Sequence, residues 1–167
     1  MKELLVEKFE LPAFDDSKVP DSEEKLWNRK IKKKEIFFNE IFKFFPKKFQ
    51  FINKKIYLTL LLSNNKNIKK LNKKFKNKNK HTDILSFPFQ DKLKKEKETY
   101  LGDIIISFDH MNKPKNLNNK NFKEKVIKIF IHGFLHLLGF NHYKLNEYKI
   151  MLNEEKKIFK SVKKFIN

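Results

Sequence analysis

Residues 122–142 read FKEKVIKIFIHGFLHLLGFNH, and this stretch organises the prediction of the fold. At about 100° per residue, its apolar side chains cover nearly the whole circumference of an α-helix. The pattern therefore predicts a helix over 122–139 that is buried on most sides, with His132 and His136 as its main polar stripe. The apolar positions that carry this prediction are Val126, Ile127, Phe130, Ile131, Phe134, Leu135, Leu137 and Leu138.

The end of this stretch concentrates residues that are scarce elsewhere, because three of the five His and two of the three Gly fall within 132–142. His132 and His136 are four residues apart, so both imidazoles lie on one helix face and can reach one ion at about 2.0–2.1 Å. Gly139 is suited to the left-handed conformation that ends a helix, and a sharp turn there brings His142 back. The spacing predicts three imidazole ligands with an open fourth position, as in catalytic zinc sites.

Two other interpretations of the motif compete with a metal site. A pair of His at this spacing is commonly a surface feature or a satisfied core pair, but three unpaired imidazoles on a buried apolar helix would be unfavourable. The spacing of His132, His136, Gly139 and His142 is also that of the metzincin peptidases. Those enzymes place a Glu directly after the first His, where this chain has Gly133, so a peptidase would need a carboxylate from another segment.

Length and composition indicate one domain over residues 1–167 with enough apolar material for a core, since 40% of the residues are hydrophobic. The absence of Cys excludes disulfides and thiolate metal sites, which leaves His, carboxylate or water as metal ligands. No apolar stretch is long enough for a bilayer, and the first residues, MKELLVEKFELP, do not resemble a secretory signal. A cytoplasmic protein without membrane contact is the expectation.

The formal charge of +19 favours a polyanionic partner, nucleic acid first. Arg29 is the single arginine among 39 basic residues, and Asn, Ile and Phe are also abundant, so AT-rich codons account for part of the lysine excess. Because phosphate recognition prefers the arginine fork, the charge alone does not decide between nucleic-acid binding and a merely basic surface.

The remaining elements predict an α+β domain of two or three layers, with a small mixed sheet and several helices. One long helical pattern runs from Asp21 to Phe45, where Pro46 stops it, and Asn64 or Asn65 caps a short helix. The other predicted elements are strands over 2–8, 49–62, 83–89 and 101–108, a solvated loop over 91–100, a loop over 110–121 and a terminal helix over 144–165.

The segment HGFLHLLGFNH resembles the signature of the YbeY family, approximately His-Gly-x-Leu-His-Leu-x-Gly-Tyr-Asp-His. Residues 82–88, TDILSFP, resemble the family's Thr-Asp-Val-Leu-Ser-Phe-Pro strand, and residues 101–107, LGDIIIS, resemble its Leu-Gly-Asp-Ile-x-Ile-Ser strand. The blocks follow the family's order and, with Leu71 and Asn72, cover roughly residues 56–155.

This resemblance implies an α+β fold, one zinc ion on His132, His136 and His142, and cleavage of single-stranded RNA near the 3′ end of small-subunit rRNA. It also implies a role in ribosome quality control and contact with the ribosome or its small subunit. Two positions depart from the family. Asn141 replaces the Asp before the last His, and Lys76 stands where the family has an Arg, so Lys76 becomes the candidate catalytic residue that neutralises the scissile phosphate.

Three functions therefore remain in competition: a zinc endoribonuclease, a metallopeptidase or other zinc hydrolase, and a non-catalytic ribosome-binding protein with a structural metal. His81, Asp83, Ser107 and His110 are further candidates for lining the cleft, although Asp83 and Ser107 also suit hydrogen bonds at strand ends, and His110 suits a surface loop. A water or the RNA 2′-hydroxyl can serve as nucleophile in the first function, and cleavage of DNA would favour the water.

Overall fold

The computed structural model describes residues 4–7, 21–51, 55–89, 98–115 and 117–166. Its strands are β1 (Leu4–Glu7), β2 (Lys55–Ser63), β3 (Ile84–Pro88) and β4 (Glu98–Ser107). Its helices are α1 (Asp21–Lys30), α2 (Lys34–Lys43), α3 (Asn65–Lys76), α4 (Phe108–Met111), α5 (Asn119–Leu137) and α6 (Leu145–Ile166). The strand order is β1-β2-β4-β3, with β2 parallel to β1 and β4, and β3 antiparallel to β4. The predicted α+β class with a small mixed sheet is confirmed.

The interior strands are apolar on both faces because helices cover both sides of the sheet. On β4, Ile104 and Ile106 belong to the larger core, while Ile105 between them belongs to a smaller core on the opposite face. On β2, Leu58 and Leu60 face the larger core, and Leu61 packs against the smaller one. This period-2 division within a continuous apolar run is typical of a covered sheet.

The larger core contains α1, α2, α5 and α6, and α5 lies at its centre with most of its apolar side chains buried. A Cβ atom added to Gly133 would lie 2.6 Å from Cδ1 of Ile84 and 3.0 Å from Oγ of Ser86. Gly133 therefore allows α5 to approach β3 closely. A larger residue here would have to displace the side chains of Ile84 and Ser86.

The smaller core is formed by α3 on the other face of the sheet, where Ile68 and Leu71 pack with Leu85 and Ile105. Asn64 caps this helix as predicted, since its side-chain oxygen accepts a hydrogen bond of 2.8 Å from the backbone N–H of Asn67. The helix ends at Lys76, and the following residue, Asn77, has a left-handed φ of 53°.

The prediction of one helix from Asp21 to Phe45 is wrong, because α1 and α2 are separate and Lys33 between them has a left-handed φ of 47°. A left-handed residue costs about 1–2 kcal/mol. Burial of Trp27 and Ile31 before the break and of Phe38 after it, all in one core, offsets that cost. The apolar residues keep their helical spacing across the break, so periodicity did not predict it.

The other differences concern the limits of elements. Strand β2 begins at Lys55, not at residue 49, because Lys47–Phe49 form a single 3-10 turn. A short helix, α4, and the start of α5 occupy part of the predicted loop over 110–121. Residues 90–97, most of the predicted solvated loop, lie outside the described residues, as do residues 8–20. Among the helices that are described, none has both the length and the apolar character needed to cross a bilayer.

Candidate metal centre

Two of the three motif histidines project from the same face of α5. The Nε2 atoms of His132 and His136 lie 3.0 Å apart, and the centroids of the two rings are separated by 4.6 Å. Two nitrogens at this separation can each lie about 2.0–2.1 Å from a single ion. The i, i+4 spacing on the last turns of a rigid buried helix is what fixes this arrangement.

The third histidine reaches the pair through the turn that ends α5. Gly139 has a φ of 93°, and its N–H donates to the carbonyl of His136 at 3.0 Å, while the N–H of Phe140 donates to the carbonyl of Leu135 at 3.0 Å. This pair of hydrogen bonds is the Schellman motif that a left-handed glycine permits. The turn places the His142 ring centroid 5.0 Å from that of His136 and 5.4 Å from that of His132.

The other nitrogen of each α5 histidine is already occupied. Nδ1 of His132 donates to Oε1 of Glu155 at 2.7 Å, and Nδ1 of His136 donates to the carbonyl of Phe140 at 2.9 Å. These bonds place the proton on Nδ1 and leave the lone pair of each Nε2 directed toward the other histidines. Such second-layer hydrogen bonds orient ligating histidines in metal sites and raise their basicity.

The donor set fits a divalent transition metal. One nitrogen from each of His132, His136 and His142 lies within 4.8 Å of the other two. Tetrahedral ligands at 2.0–2.1 Å are separated by roughly 3.3 Å, so binding requires a closure of about 1.5 Å at most. His142 is exposed and lies outside the helix, so it can supply that movement.

The surroundings of His136 favour the neutral imidazole, which is the form that binds a metal. Burial lowers the pKa of His136, and the charges of His132, His142 and Lys76 lower it further against an opposing hydrogen bond to Phe140. A lowered pKa reduces the competition between protons and a metal ion for Nε2.

The charge of Lys76, the predicted catalytic residue, is one of the influences that lower the pKa of His136. Lys76 ends α3, and its Nζ atom lies 5.6 Å from the centroid of the Phe87 ring. Burial of the ammonium and the charge of Lys78 lower the pKa of Lys76. A phosphate bound at this position would favour the charged form again, so the side chain is suited to receive an anion.

A cleft of about 460 Å³ opens beside His132, and two of the four further candidate residues line it. Asp83 and His110 line this cleft together with His132 and Glu155. The remaining candidates do not line it: His81 contacts His110 through nitrogens 2.9 Å apart, and Ser107 is buried. The Ser107 hydroxyl donates to the side chain of Asn65 at 2.7 Å, in agreement with the strand-end alternative.

Asn141 takes no part in the cluster through hydrogen bonding. Its side-chain amide donates to the carbonyl of Gly139 at 3.3 Å and so closes the turn. The carboxylate near the histidines comes from Glu155 on α6, which was not among the predicted site residues. The sequence pattern that could have indicated Glu155 is an acidic residue among apolar ones on one side of the terminal helix. Met151 and Ile158, one turn to either side of it, are buried.

We expect the substitution Glu155→Gln to weaken zinc binding by about 10- to 100-fold, the usual effect of losing an orienting carboxylate. The amide retains the shape of the side chain but removes the charge that holds the His132 proton on Nδ1. Competition titration with a chromogenic chelator measures the affinity. Glu147→Gln on the same helix is the control, because the Glu147 carboxylate contacts the backbone N–H of Lys144 at 3.2 Å. Equal affinities in the two variants would contradict the role of Glu155.

Comparison with known proteins places this chain in a family. Residues 21–163 match the family model described as Endoribonuclease YbeY. The protein named Endoribonuclease YbeY from Pelagibacter ubique (strain HTCC1062) is 63% identical over 142 residues, which cover 85% of this chain and 93% of that protein. The protein of the same name from Ehrlichia ruminantium (strain Gardel) is 37% identical over 123 residues, or 71% of this chain and 73% of that protein.

A solved structure is also similar. The solution structure of TM1509 from Thermotoga maritima has 23% sequence identity and a TM-score of 0.49, and the match covers 83% of this chain and 82% of that one. Since the family model spans most of the sequence and the named relatives align along most of their own length, the chain belongs to the YbeY endoribonuclease family.

Proposed function

We propose that the chain acts, as one domain over residues 1–167, as a zinc-dependent endoribonuclease specific for single-stranded RNA. The observation that carries the proposal is the convergence of His132, His136 and His142 with the Nδ1 atoms of the two helical residues already hydrogen-bonded. Three neutral imidazoles with an open fourth position are the arrangement of catalytic zinc. The family membership and the RNA-cleaving names of the relatives support the choice of substrate.

His132, His136 and His142 would hold one zinc ion, which when bound supplies a Lewis acid and lowers the pKa of water toward about 7. Glu155 fixes the orientation of the His132 ring through its carboxylate. Lys76 binds a phosphate oxygen and offsets the negative charge that develops during cleavage. The cleft beside His132 admits the RNA strand, and Lys125 and Lys128 on its wall attract the RNA backbone.

Structural features disfavour a peptidase. Gly133 occupies the position of the peptidase glutamate and packs against β3. The Glu155 carboxylate is already hydrogen-bonded to Nδ1 of His132.

We therefore expect the chain to cleave an unstructured RNA and to leave casein intact. Chelation should abolish the RNA cleavage, and added zinc should restore it. Digestion of casein with the RNA left intact would favour a peptidase over an endoribonuclease. A DNA strand of the same sequence distinguishes the two nucleophiles, because DNA lacks the 2′-hydroxyl.

The role of Lys76 is tested by changing the shape of its cation. We expect Lys76→Gln to reduce kcat/KM for RNA by about 10²-fold, since removal of one charge-stabilising donor costs about that much. Lys76→Arg should retain activity at or above the starting level, because the guanidinium fork binds phosphate oxygens bidentately. Zinc content must stay unchanged in both variants. Equal activity of Lys76→Gln and the unaltered chain would remove Lys76 from the mechanism.

The biological substrate that we propose is precursor small-subunit rRNA near its 3′ end, cleaved in the cytoplasm on or beside the ribosomal small subunit as part of ribosome quality control. The non-catalytic alternative gives the metal a purely structural role. Incubation of precursor small-subunit particles with the zinc-loaded chain separates the two, because only the enzyme shortens the rRNA. Binding to the particles without any zinc-dependent cleavage would favour the structural alternative.

A further inference from the structure

Two pairs of aromatic rings lie along the edge strand β3, and the first of them includes a residue near the end of α3. The rings of Phe75 and Phe87 meet edge to face with centroids 5.3 Å apart, and those of Phe89 and Tyr100 meet in the same way at 5.4 Å. We call Phe75, Phe87, Phe89 and Tyr100 the aromatic row. Phe75 is 49% exposed and Phe89 is 43% exposed, although burial of rings of this size would be favourable.

The aromatic row and the metal centre lie on opposite faces of the same edge strand. Helix α5 approaches β3 where Gly133 faces Ile84 and Ser86, whereas Phe87 points to the other face with α3. Lys76 lies at the end of α3, and its ammonium lies over the Phe87 ring, 5.6 Å from the centroid. A strand of RNA that places a phosphate at Lys76 therefore has the aromatic row within reach of its neighbouring bases.

Lysine ammonium groups lie over two of the four rings in this row. Nζ of Lys74 lies 5.3 Å from the centroid of Phe75, and Nζ of Lys76 lies 5.6 Å from that of Phe87. A lysine stem is flexible, so each ammonium can leave the ring face for a phosphate when a base takes its place. An aromatic face with a mobile cation beside it suits a base and its adjoining phosphate in a single strand.

We infer that the aromatic row is a stacking site for the unpaired bases of single-stranded RNA on one side of the phosphate held at Lys76. This inference rests on the proposed function and extends it, since it assigns the preference for single strands to particular residues. Bases within a duplex are stacked on each other and cannot lie flat on Phe75 or Phe89. Tyr100 supports Phe89 from the side of β4, where its hydroxyl is within 2.8 Å of that of Thr59.

Binding in the absence of cleavage tests this inference separately from the activity. Fluorescence anisotropy of a labelled single-stranded oligoribonucleotide is measured on the full chain with a chelator present. The double variant Phe75→Leu and Phe89→Leu keeps apolar bulk but loses both exposed rings, and we expect it to bind about 5- to 100-fold more weakly. The matched control is Phe44→Leu, a ring that is 42% exposed at the end of α2 and packs against Phe165.

A second ligand distinguishes stacking from charge. An abasic oligonucleotide of the same length keeps the phosphates, so we expect it to bind the unaltered chain and the double variant equally. Loss of affinity for both ligands would indicate a folding or charge effect, and an unchanged affinity for the normal oligonucleotide would also overturn the inference. Tight binding without zinc-dependent cleavage would refute only the proposed function. Cleavage with an unchanged KM in the double variant would refute only the aromatic row.

Discussion

The substitution His136→Ala is expected to abolish zinc retention and to reduce RNA cleavage by about 10³-fold or more. His136 is the ligand nearest to both others, with its ring centroid 4.6 Å from that of His132 and 5.0 Å from that of His142. Its loss leaves two donors that belong to different segments of the chain. A bound ion contributes several kcal/mol of charge stabilisation, and each 1.4 kcal/mol is a factor of ten in rate.

Zinc content by atomic emission and cleavage of an unstructured RNA are measured on the same preparations. His81→Ala is the matched control for zinc content, because it removes an imidazole outside the cluster and should leave one zinc ion bound. Circular dichroism of His136→Ala with chelator present must match that of the chelated unaltered chain, which excludes misfolding. Full activity in a variant without zinc would refute the proposed mechanism, and zinc retained at the original affinity would refute the ligand set.

Gly102→Ala is expected to destabilise the fold by about 3 kcal/mol or more, the largest effect on stability that we predict for a single methyl group. Gly102 has a φ of 129°, a conformation that other residues rarely adopt. A Cβ atom there would lie 2.2 Å from the carbonyl oxygen of Phe87 and 2.8 Å from the nitrogen of Phe89. Both atoms belong to the backbone of the paired strand, so the clash cannot be relieved by a side-chain rotation.

The measurement is urea unfolding followed by circular dichroism, with chelator present so that metal binding does not contribute. Gly139→Ala separates strain from collision, because Gly139 also has a positive φ, of 93°, but nothing lies within 4 Å of its added Cβ. That control should lose only about 1 kcal/mol. Similar losses in the two variants would show that β3 and β4 separate easily, which would contradict the close approach of Phe87 and Phe89 to Gly102.

The convergence of the three histidines was largely predictable because they are local in sequence. His132, His136 and His142 fall within eleven residues, and helix periodicity with one glycine turn is enough to bring them together. Lys76 was proposed through the family resemblance, and in the structure its ammonium lies over the Phe87 ring. Its catalytic role stays a prediction.

What the sequence did not reveal depends on contacts between distant segments. Glu155 is 23 residues from His132, and only the packing of α6 on α5 makes it a partner of that ring. The break at Lys33 was not predicted because it depends on tertiary packing. Burial of side chains on either side outweighs the local cost of a left-handed residue. The aromatic row likewise unites residues from α3, β3 and β4, which no local pattern connects.

The hydrogen bond between Glu155 and His132 ties the last helix to the histidine cluster, with a consequence for local unfolding. Whenever α6 separates from α5, the His132 ring loses the carboxylate that orients it, and an ion on the three histidines should then be held more loosely. By the same linkage, a bound ion would stabilise the docked position of α6.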